Sequence, residues 1–436
     1  MSMPLGAIAD DLTGATDLAI MLTDAGYETV VVPEEGTLLA EAGGATRGAG
    51  PDGPSLQADA IVVALKTRTA PPGDAVGRSL AAVRWLRQQG CGRFYFKYCS
   101  TFDSTPQGNI GPVAEALMDE LGTSMTVVVP SFPATGRTVY QGNLFVHEKP
   151  LQESSLRDHP LTPMRDSNLI RLLQPQLREG SRIALLPLTT VMEGTEAVRD
   201  GLRRAEADGA RYVVVDAVTD EHLRTVARAA NGLTLLTGGS GLAQGLAGPR
   251  ASGAISVGPA RGRRITLAGS ASKTTQAQVR HALERGRGIQ LDLNRLREDV
   301  AGYSEALAEE ILAGDPADAV TVYATASPED LGSLEDAPLI EECLARVARA
   351  LSQEESVQGL VVAGGETSGA VIEALGIRSL RMGRTLDPGV AWALAERGAT
   401  GGEGDSAEQT PPLPLVLKSG NFGGEDLLTR AWDMKA

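Results

Sequence analysis

The chain has 436 residues, more than one ordinary core accommodates, so two domains are the expected organisation. Hydrophobic residues at 42% and charged residues at 22% give the balance of a globular protein. A net charge of −15 argues against nucleic acid or acidic membrane as the main partner, and it requires that any anionic ligand be held by local cations.

In chain order, Leu5–Ala9, Thr29–Val32, Ile61–Leu65, Phe94–Tyr98, Thr126–Val129, Ile183–Pro187, Tyr212–Val215 and Leu233–Leu236 read as buried strands. Amphipathic stretches lie between many of them: Ala15–Ala25, Val76–Gln89, Val113–Leu121, Thr195–Ala207 and Glu221–Ala230. This alternation predicts βαβ units and a mostly parallel sheet covered on both faces. Residues 41–54 are crowded with Gly and Ala and read as a surface loop. The pattern thins over Gly245–Arg264, the expected linker, and a second series follows. Its elements are a strand at Arg264–Ala268, a strand at Ile289–Leu293, a helix at Ser304–Ala313, a strand at Ala319–Tyr323, a helix at Leu339–Leu351 and a strand at Leu360–Ala363. Residues 398–412 are low in complexity and acidic, an expected excursion. The fold class is therefore α/β: two α/β domains with mostly parallel sheets covered by helices, spanning residues 1–250 and 260–436, with the active site in the cleft between them.

No basic leader and no apolar run of bilayer length is evident, and Cys91, Cys99 and Cys343 lack CxxC spacing, so a cytoplasmic protein with reduced thiols is expected.

Chemistry-bearing residues gather where strands end. The first strand runs into Asp10-Asp11-Leu12-Thr13-Gly14-Ala15-Thr16-Asp17. Adjacent carboxylates there are costly unless solvated, paired or used. An Asp helix cap with a solvated neighbour is the plainer account, but the strand-end position favours a base or a metal ligand. Lys66-Thr67-Arg68-Thr69 ends another apolar run, where Arg68 suits a carboxylate in a bidentate fork. The run from Phe96 through Lys97, Cys99, Ser100, Thr101, Asp103, Ser104, Asn109 and Gly111 packs hydroxyls, a cation and a carboxylate into one strand-to-helix turn, a composition suited to a small polyhydroxylated anion. Arg137, in the turn after the strand at Thr126–Val129, is a further anion clamp, and residues 143–168 read as a long irregular connection.

Three Gly-rich strand-to-helix turns occupy the second half: Gly269–Thr274, Gly364–Gly369 and Ser419–Gly424. Backbone amides at such turns bind phosphate, and three in one domain point to a nucleotide. None is GxxxxGK[ST] or GxGxxG. His147, His159, His222 and His281 show no metal-ligand spacing, and no GxSxG is present.

On these motifs the chain resembles the four-carbon acid sugar kinases, most closely those acting on 3-oxo-tetronate. The matching stretches are IADDLTGATDL at Ile8–Leu18, KYCSTFDSTPQGNIGPV at Lys97–Val113, HPLTPMRDSNL at His159–Leu169, GGETSG at Gly364–Gly369 and LKSGNFGGED at Leu417–Asp426. Ala271 stands where a Cys is expected, and Asn143 where relatives often carry His. The resemblance implies an amino-terminal domain for the sugar acid, a carboxyl-terminal domain for ATP, and transfer to a terminal hydroxyl with Mg²⁺ bridging phosphates. It makes Asp11 the leading base with Asp10 second. It makes Arg68, Lys97 and Arg137 clamps, and Ser100, Asp103 and Ser104 partners of substrate hydroxyls. Ser270, Gly364, Gly365, Glu366, Thr367, Gly420 and Gly423 would line the nucleotide, while metal ligands stay unassigned. A threonate or erythronate kinase and a non-catalytic sugar-acid sensor are the alternatives; homo-oligomerisation is left open.

Overall fold

The computed structural model describes residues 3–34, 56–159, 162–258, 262–330, 332–357, 359–398 and 410–433. These divide into two compact units, the first ending at Gly253 and the second beginning at Ala254. The expected surface loop at 41–54, most of the acidic excursion at 398–412 and part of the linker lie outside the described residues.

The first unit contains the strands Leu5–Ala9 (β1), Thr29–Pro33 (β2), Ala60–Ala64 (β3), Arg93–Lys97 (β4), Thr126–Val129 (β5), Arg137–Tyr140 (β6), Asn143–Val146 (β7), Lys149–Pro150 (β8), Arg182–Leu186 (β9), Ala210–Val215 (β10) and Leu235–Gly238 (β11). Its large sheet runs β2-β3-β1-β4-β11-β5-β10-β9, with every neighbouring pair parallel. β1, β2 and β3 are buried at every residue. Helices on both faces remove the need for a polar side, so these strands read as unbroken apolar runs rather than alternating ones. The helix Leu12–Asp24 shows the same logic: Ala15, Leu18, Ala19, Ile20 and Leu22 are all buried, and the small residues let it lie close to the sheet. The core on one face gathers Ile8, Val30, Val32, Ile61, Val63, Phe94, Phe96 and Tyr98 beneath the helices Pro72–Gln88 and Ile110–Leu121.

β6, β7 and β8 form a separate antiparallel three-stranded sheet, which corrects the irregular connection expected from residue 143 onward. Gln141 at φ 53° and Gly142 at φ 69° both lie in the left-handed region, as a two-residue hairpin turn with right-twisted strands requires. Val139, Leu144 and Leu151 then pin this sheet into the core.

The second unit holds Arg264–Ala268 (β12), Arg287–Gln290 (β13), Ala319–Tyr323 (β14), Leu360–Ala363 (β15), Ile377–Asp387 (β16), Val390–Arg397 (β17) and Leu413–Lys418 (β18). They run β13-β14-β12-β15-β18-β17-β16, parallel up to β18 and antiparallel beyond it. β13 stops at Gln290, short of the Leu293 end expected for this strand, because the Asp292 carboxylate accepts from the Asn294 and Arg295 amides and starts a helix. Trp392 fills the centre of the core with Val361, Val416 and Leu427, its indole donating to the Ala431 carbonyl at 3.1 Å. No helix among the described residues is long and apolar enough to cross a membrane.

Each half carries its own strand and helix series and its own core. Expressed separately, residues 1–250 and 260–436 should each give a cooperative thermal transition by circular dichroism. A piece that melts without cooperativity would contradict this division.

Candidate active site

Across the first sheet, the neighbours β1 and β4 send the chain off in opposite directions. The chain leaves β1 toward β2 on one side and leaves β4 toward β5 on the other, so the two crossovers diverge above the carboxyl ends of β1 and β4. Such a switch point opens a crevice where ligands bind in parallel sheets. The loops around it carry Asp10 and Asp11 from β1, Arg68 from β3 and the turn after Lys97 from β4.

Arg68 grips Asp10 with its fork: Nε donates to Oδ2 at 2.9 Å and Nη2 to Oδ1 at 2.8 Å. The same Nη2 donates to Asp11 Oδ1 at 2.7 Å. The Nε/Nη2 edge of Arg68, expected as a clamp on a substrate carboxylate, is thus occupied by Asp10, while Nη1 takes no partner among the described residues. Backbone bonds fix this geometry, since the Thr67 and Arg68 amides both donate to the Asp10 carbonyl, at 2.9 and 3.1 Å. Asn109 closes it by donating to the carbonyls of Thr67 at 2.7 Å and Ala70 at 3.0 Å.

The two carboxylates differ. Asp10 is 5% exposed, and both its oxygens are taken by Arg68. Asp11 caps the helix Leu12–Asp24 by accepting from the Gly14 amide at 2.8 Å, again on Oδ1. Its Oδ2 takes no hydrogen bond among the described residues, and 30% of its side chain stays accessible. The dense surroundings raise the Asp11 pKa, with Arg68 and Lys97 opposing and Asp10 adding to the rise. Gly14 is required here, because a Cβ would fall 2.3 Å from Asp11 Oδ1 and 2.7 Å from Lys97 Nζ.

Lys97 is 3% exposed, and its ammonium makes no hydrogen bond or ion pair among the described residues. Its charge acts on Asp11 and on Asp17, one and a half turns further along the helix. Asp17 is buried, accepts a hydrogen bond from Ser240 on Oδ2, and has no partner on Oδ1; burial raises its pKa against the pull of Lys97. Arg137 also acts on Asp17, donates through Nη1 to the Thr135 carbonyl, and keeps a buried Nε without a partner.

In the turn after β4, Thr101 donates to Asp103 at 2.6 Å, and Phe102 sits at φ 52° with its ring buried edge-on against Tyr98. A bulky residue in the left-handed region is strained by a few kcal/mol at most, and strain of this kind gathers at sites. Ser100 lies in this turn, its Cβ 3.4 Å from where a Cβ of Gly239 would stand. Ser104 is buried and accepts from Gln176 Nε2 at 2.9 Å, so its expected contact with a substrate hydroxyl gives way to a structural one. The Cys99 thiol is pushed up to about 11, first by burial and then by Asp103, which leaves it a poor nucleophile. The Asn143 side chain donates to the Gln141 carbonyl at 2.9 Å and accepts from the Ser167 hydroxyl at 3.3 Å.

The second unit repeats the arrangement. β12 lies between β14 and β15; the chain leaves β12 toward β13 on one side and β15 toward β16 on the other, so the crossovers diverge at the β12/β15 boundary. All three Gly-rich turns meet there. A Cβ on Gly269 would fall 2.3 Å from Thr367 Oγ1, one on Gly364 3.3 Å from the Ser270 amide, and one on Gly420 2.4 Å from Ser270 Oγ. Gly364 sits at φ 140°, which side chains rarely adopt. Gly365 and Glu366 begin the helix Gly365–Ala374, with Glu366 exposed and Thr367 buried. Ser272 caps the helix Lys273–Leu283 by accepting from the Thr275 amide at 3.1 Å, and its hydroxyl reaches the Gly420 carbonyl at 2.5 Å. Gly423 turns at φ 85°, and Gln278 donates to the carbonyls of Phe422, Gly423 and Gly424. Backbone amides, hydroxyls and absent side chains thus surround one cradle, the donor set that phosphate oxygens need. Among the described residues no group of three or more His, Cys, Asp or Glu is placed to hold a metal. Such a set is unnecessary for an ion that arrives on phosphates and keeps its waters.

Residues 5–246 match the model of a sugar-binding N-terminal domain, and residues 265–428 that of a nucleotide-binding C-terminal domain. Relatives from Burkholderia multivorans (44% identical, covering 98% of this chain and 96% of that one) and Salmonella typhimurium (40% identical, 98% of each) are both named 3-oxo-tetronate kinase. The chain belongs to the 3-oxo-tetronate kinase family. Solved structures from Salmonella typhimurium (TM-score 0.86, 40% identity, 99% of both chains) and Haemophilus influenzae (TM-score 0.79, 37% identity, 98% and 99%) share the α/β fold.

Sequence reading missed Asp17, Asn109, Ser240 and Lys418 as site-building residues. Lys97 and Lys418 carry one recoverable signal: each is a lysine closing an apolar parallel strand, where burial on both faces leaves no room for an idle charge.

Removing the Arg68 guanidinium leaves Asp10 buried beside Asp11 without a cation. Arg68→Ala should cost about 2 kcal/mol in urea denaturation, a value discounted because part of Arg68 is exposed. The double variant with Asp10→Ala should recover part of that loss. Strict additivity of the two substitutions would contradict the pairing.

Proposed function

We propose that this protein is an ATP-dependent kinase that phosphorylates the 4-hydroxyl of a four-carbon acid sugar, 3-oxo-tetronate being the acid its relatives are named for. The observation that carries the reading is the division of labour between the two carboxylates at the β1/β4 switch point. Asp10 is locked by Arg68, while Asp11 keeps one oxygen free of hydrogen bonds and reachable by solvent.

Phosphoryl transfer asks little covalent chemistry of the protein; it needs positioning, a proton acceptor and neutralised charge. Lys97 and Arg137 have donors to spare, and they hold the carboxylate of the acid. Ser100 and Asp103 face its hydroxyl and keto oxygens. Asp11 Oδ2 receives the proton of the 4-hydroxyl as that oxygen forms its bond to phosphorus and the bond to the departing ADP oxygen breaks. Arg68 keeps Asp11 ionised against the burial that raises its pKa, and turns Oδ2 outward by occupying Oδ1. ATP would supply the phosphoryl group, and a Mg²⁺ ion bound with it would supply the positive charge that offsets the phosphates. The residues that would hold them are the Gly365 amide, the Ser270 and Thr367 hydroxyls and the glycine backbone at 420 and 423, the Ser270 and Gly364 amides being spent on the carbonyls of Ala363 and Lys418. A side chain at Gly364, Gly420 or Gly423 would intrude on its neighbours or strain the turn, which fits a phosphate site.

A coupled ADP-release assay on 3-oxo-tetronates and on the reduced threonates and erythronates tests the reading. Highest kcat/KM is expected for the oxidised acid; highest kcat/KM for a reduced acid identifies the sister activity. Binding of the acids in calorimetry with no ADP release from any of them would identify a sensor and overturn the proposal.

Because a base works only when deprotonated, and the Asp11 pKa is raised, activity should fall as pH drops through a value above that of an ordinary aspartate. Asp11→Asn should abolish this acid limb and lower kcat by roughly 10²–10⁴-fold, with the fold intact and a smaller effect on the KM for ATP. Near-normal kcat in Asp11→Asn would move the base elsewhere.

A further inference from the structure

Lys418 closes β18 at 1% exposure, and no carboxylate meets it among the described residues. Its Nζ donates to Gln278 Oε1 at 2.7 Å, Thr275 Oγ1 at 2.8 Å and the Gly420 carbonyl at 3.0 Å. All three acceptors are neutral. Two of them belong to the helix Lys273–Leu283, so the cation lies near the positive end of that helix, where the peptide dipoles oppose it. A buried charge in such a place is expensive unless something negative arrives. The bonds around it are also structural for the cradle. Gln278 holds the carbonyls of residues 422–424, and Thr275 with Ser272 holds the carbonyl of Gly420, whose Cα stands against the Ser270 hydroxyl.

We propose that Lys418 is a positioning residue for the nucleotide: its ammonium ties the helix Lys273–Leu283 to the Ser419–Gly424 turn from beneath and supplies the internal positive charge that bound phosphates balance. This rests on the reading of the three turns as the ATP site. Burial pulls the Lys418 pKa down to about 7. Phosphates nearby favour the charged form, so binding at a pH above that value takes up a proton, and affinity falls as pH rises past 7 toward the higher pKa of the complex. The other ionisable groups packed there do not provide this. Lys273, Glu366 and Glu425 are exposed, and His281 touches Thr429 at 3.4 Å. Asp387 is held by Arg430 at 2.7 Å and by the Gly424 amide at 2.9 Å, and Asp426 by Arg430 at 3.2 Å.

The test is calorimetric titration of the full chain with Mg²⁺-ADP at about pH 8, where the nucleotide phosphates are already ionised, in two buffers of different ionisation enthalpy. Wild type should take up a substantial fraction of a proton on binding. Lys418→Met and Lys418→Gln should lose that uptake and raise the KM for ATP roughly ten- to hundredfold while the KM for the acid holds, and Lys418→Arg should restore most of the affinity. A purely structural lysine would leave the proton count unmoved. No uptake in wild type, or uptake and ATP KM preserved in a folded neutral variant, overturns the proposal; if neither neutral variant folds, the wild-type proton count decides. Absence of any ADP binding by wild type instead contradicts the nucleotide reading itself.

Discussion

Two carboxylates on consecutive residues at the end of a buried strand repel each other and resist desolvation, and the first unit is arranged around the cation that makes them tolerable. Arg68 reaches across from β3, fills both oxygens of Asp10 and one of Asp11, and leaves a single oxygen outward. Register makes this reach: β1 pairs with β3 residue for residue from Leu5↔Ala60 to Ala9↔Ala64, so the two strand ends and their loops emerge side by side. Asn109, from the start of another helix, then ties down the carbonyls of the Arg68 turn. The result is a charge arrangement preset before any ligand arrives, which is the economical way to stabilise a transition state dominated by moving charge.

The second unit uses the same strand order around its switch point with different chemistry. Where the first places carboxylates and cations, the second places glycines, hydroxyls and backbone amides, with one lysine beneath. The contrast fits the ligands proposed for each unit: directed side chains suit a small acid with hydroxyl and keto oxygens, whereas close backbone approach supplies the amides that suit phosphate. Like topology and unlike loops show how little the sheet itself says about function.

Much of this was legible in the sequence. Parallel strands buried on both faces produce uninterrupted apolar runs, so β1, β5, β12, β14 and β15 are found at their observed positions, and the clustering of polar residues at their ends marks the site. Partners across space were not legible. Arg68 as a clamp and Arg68 as the counter-ion of Asp10 look identical in a tetrapeptide, and only the register of β1 against β3 distinguishes them. Ser104 looked like a substrate contact because hydroxyls in a turn advertise function, yet Gln176, far along the chain, claims it. The β6–β7 hairpin was legible but passed over: its Gln-Gly turn between Thr138-Val139-Tyr140 and Leu144-Phe145-Val146 is a local signal hidden by the surrounding polar residues.

The central claim is that Asp11, not Asp10, faces the hydroxyl to be phosphorylated. A crystal structure of the protein with a bound four-carbon sugar acid tests it directly. The account predicts the 4-hydroxyl within roughly 3 Å of Asp11 Oδ2, with the acid's carboxylate at Lys97 and Arg137 and the Arg68–Asp10 fork undisturbed. A 4-hydroxyl placed on Asp10 or Asp103, or a carboxylate that displaces Asp10 from Arg68, would contradict it.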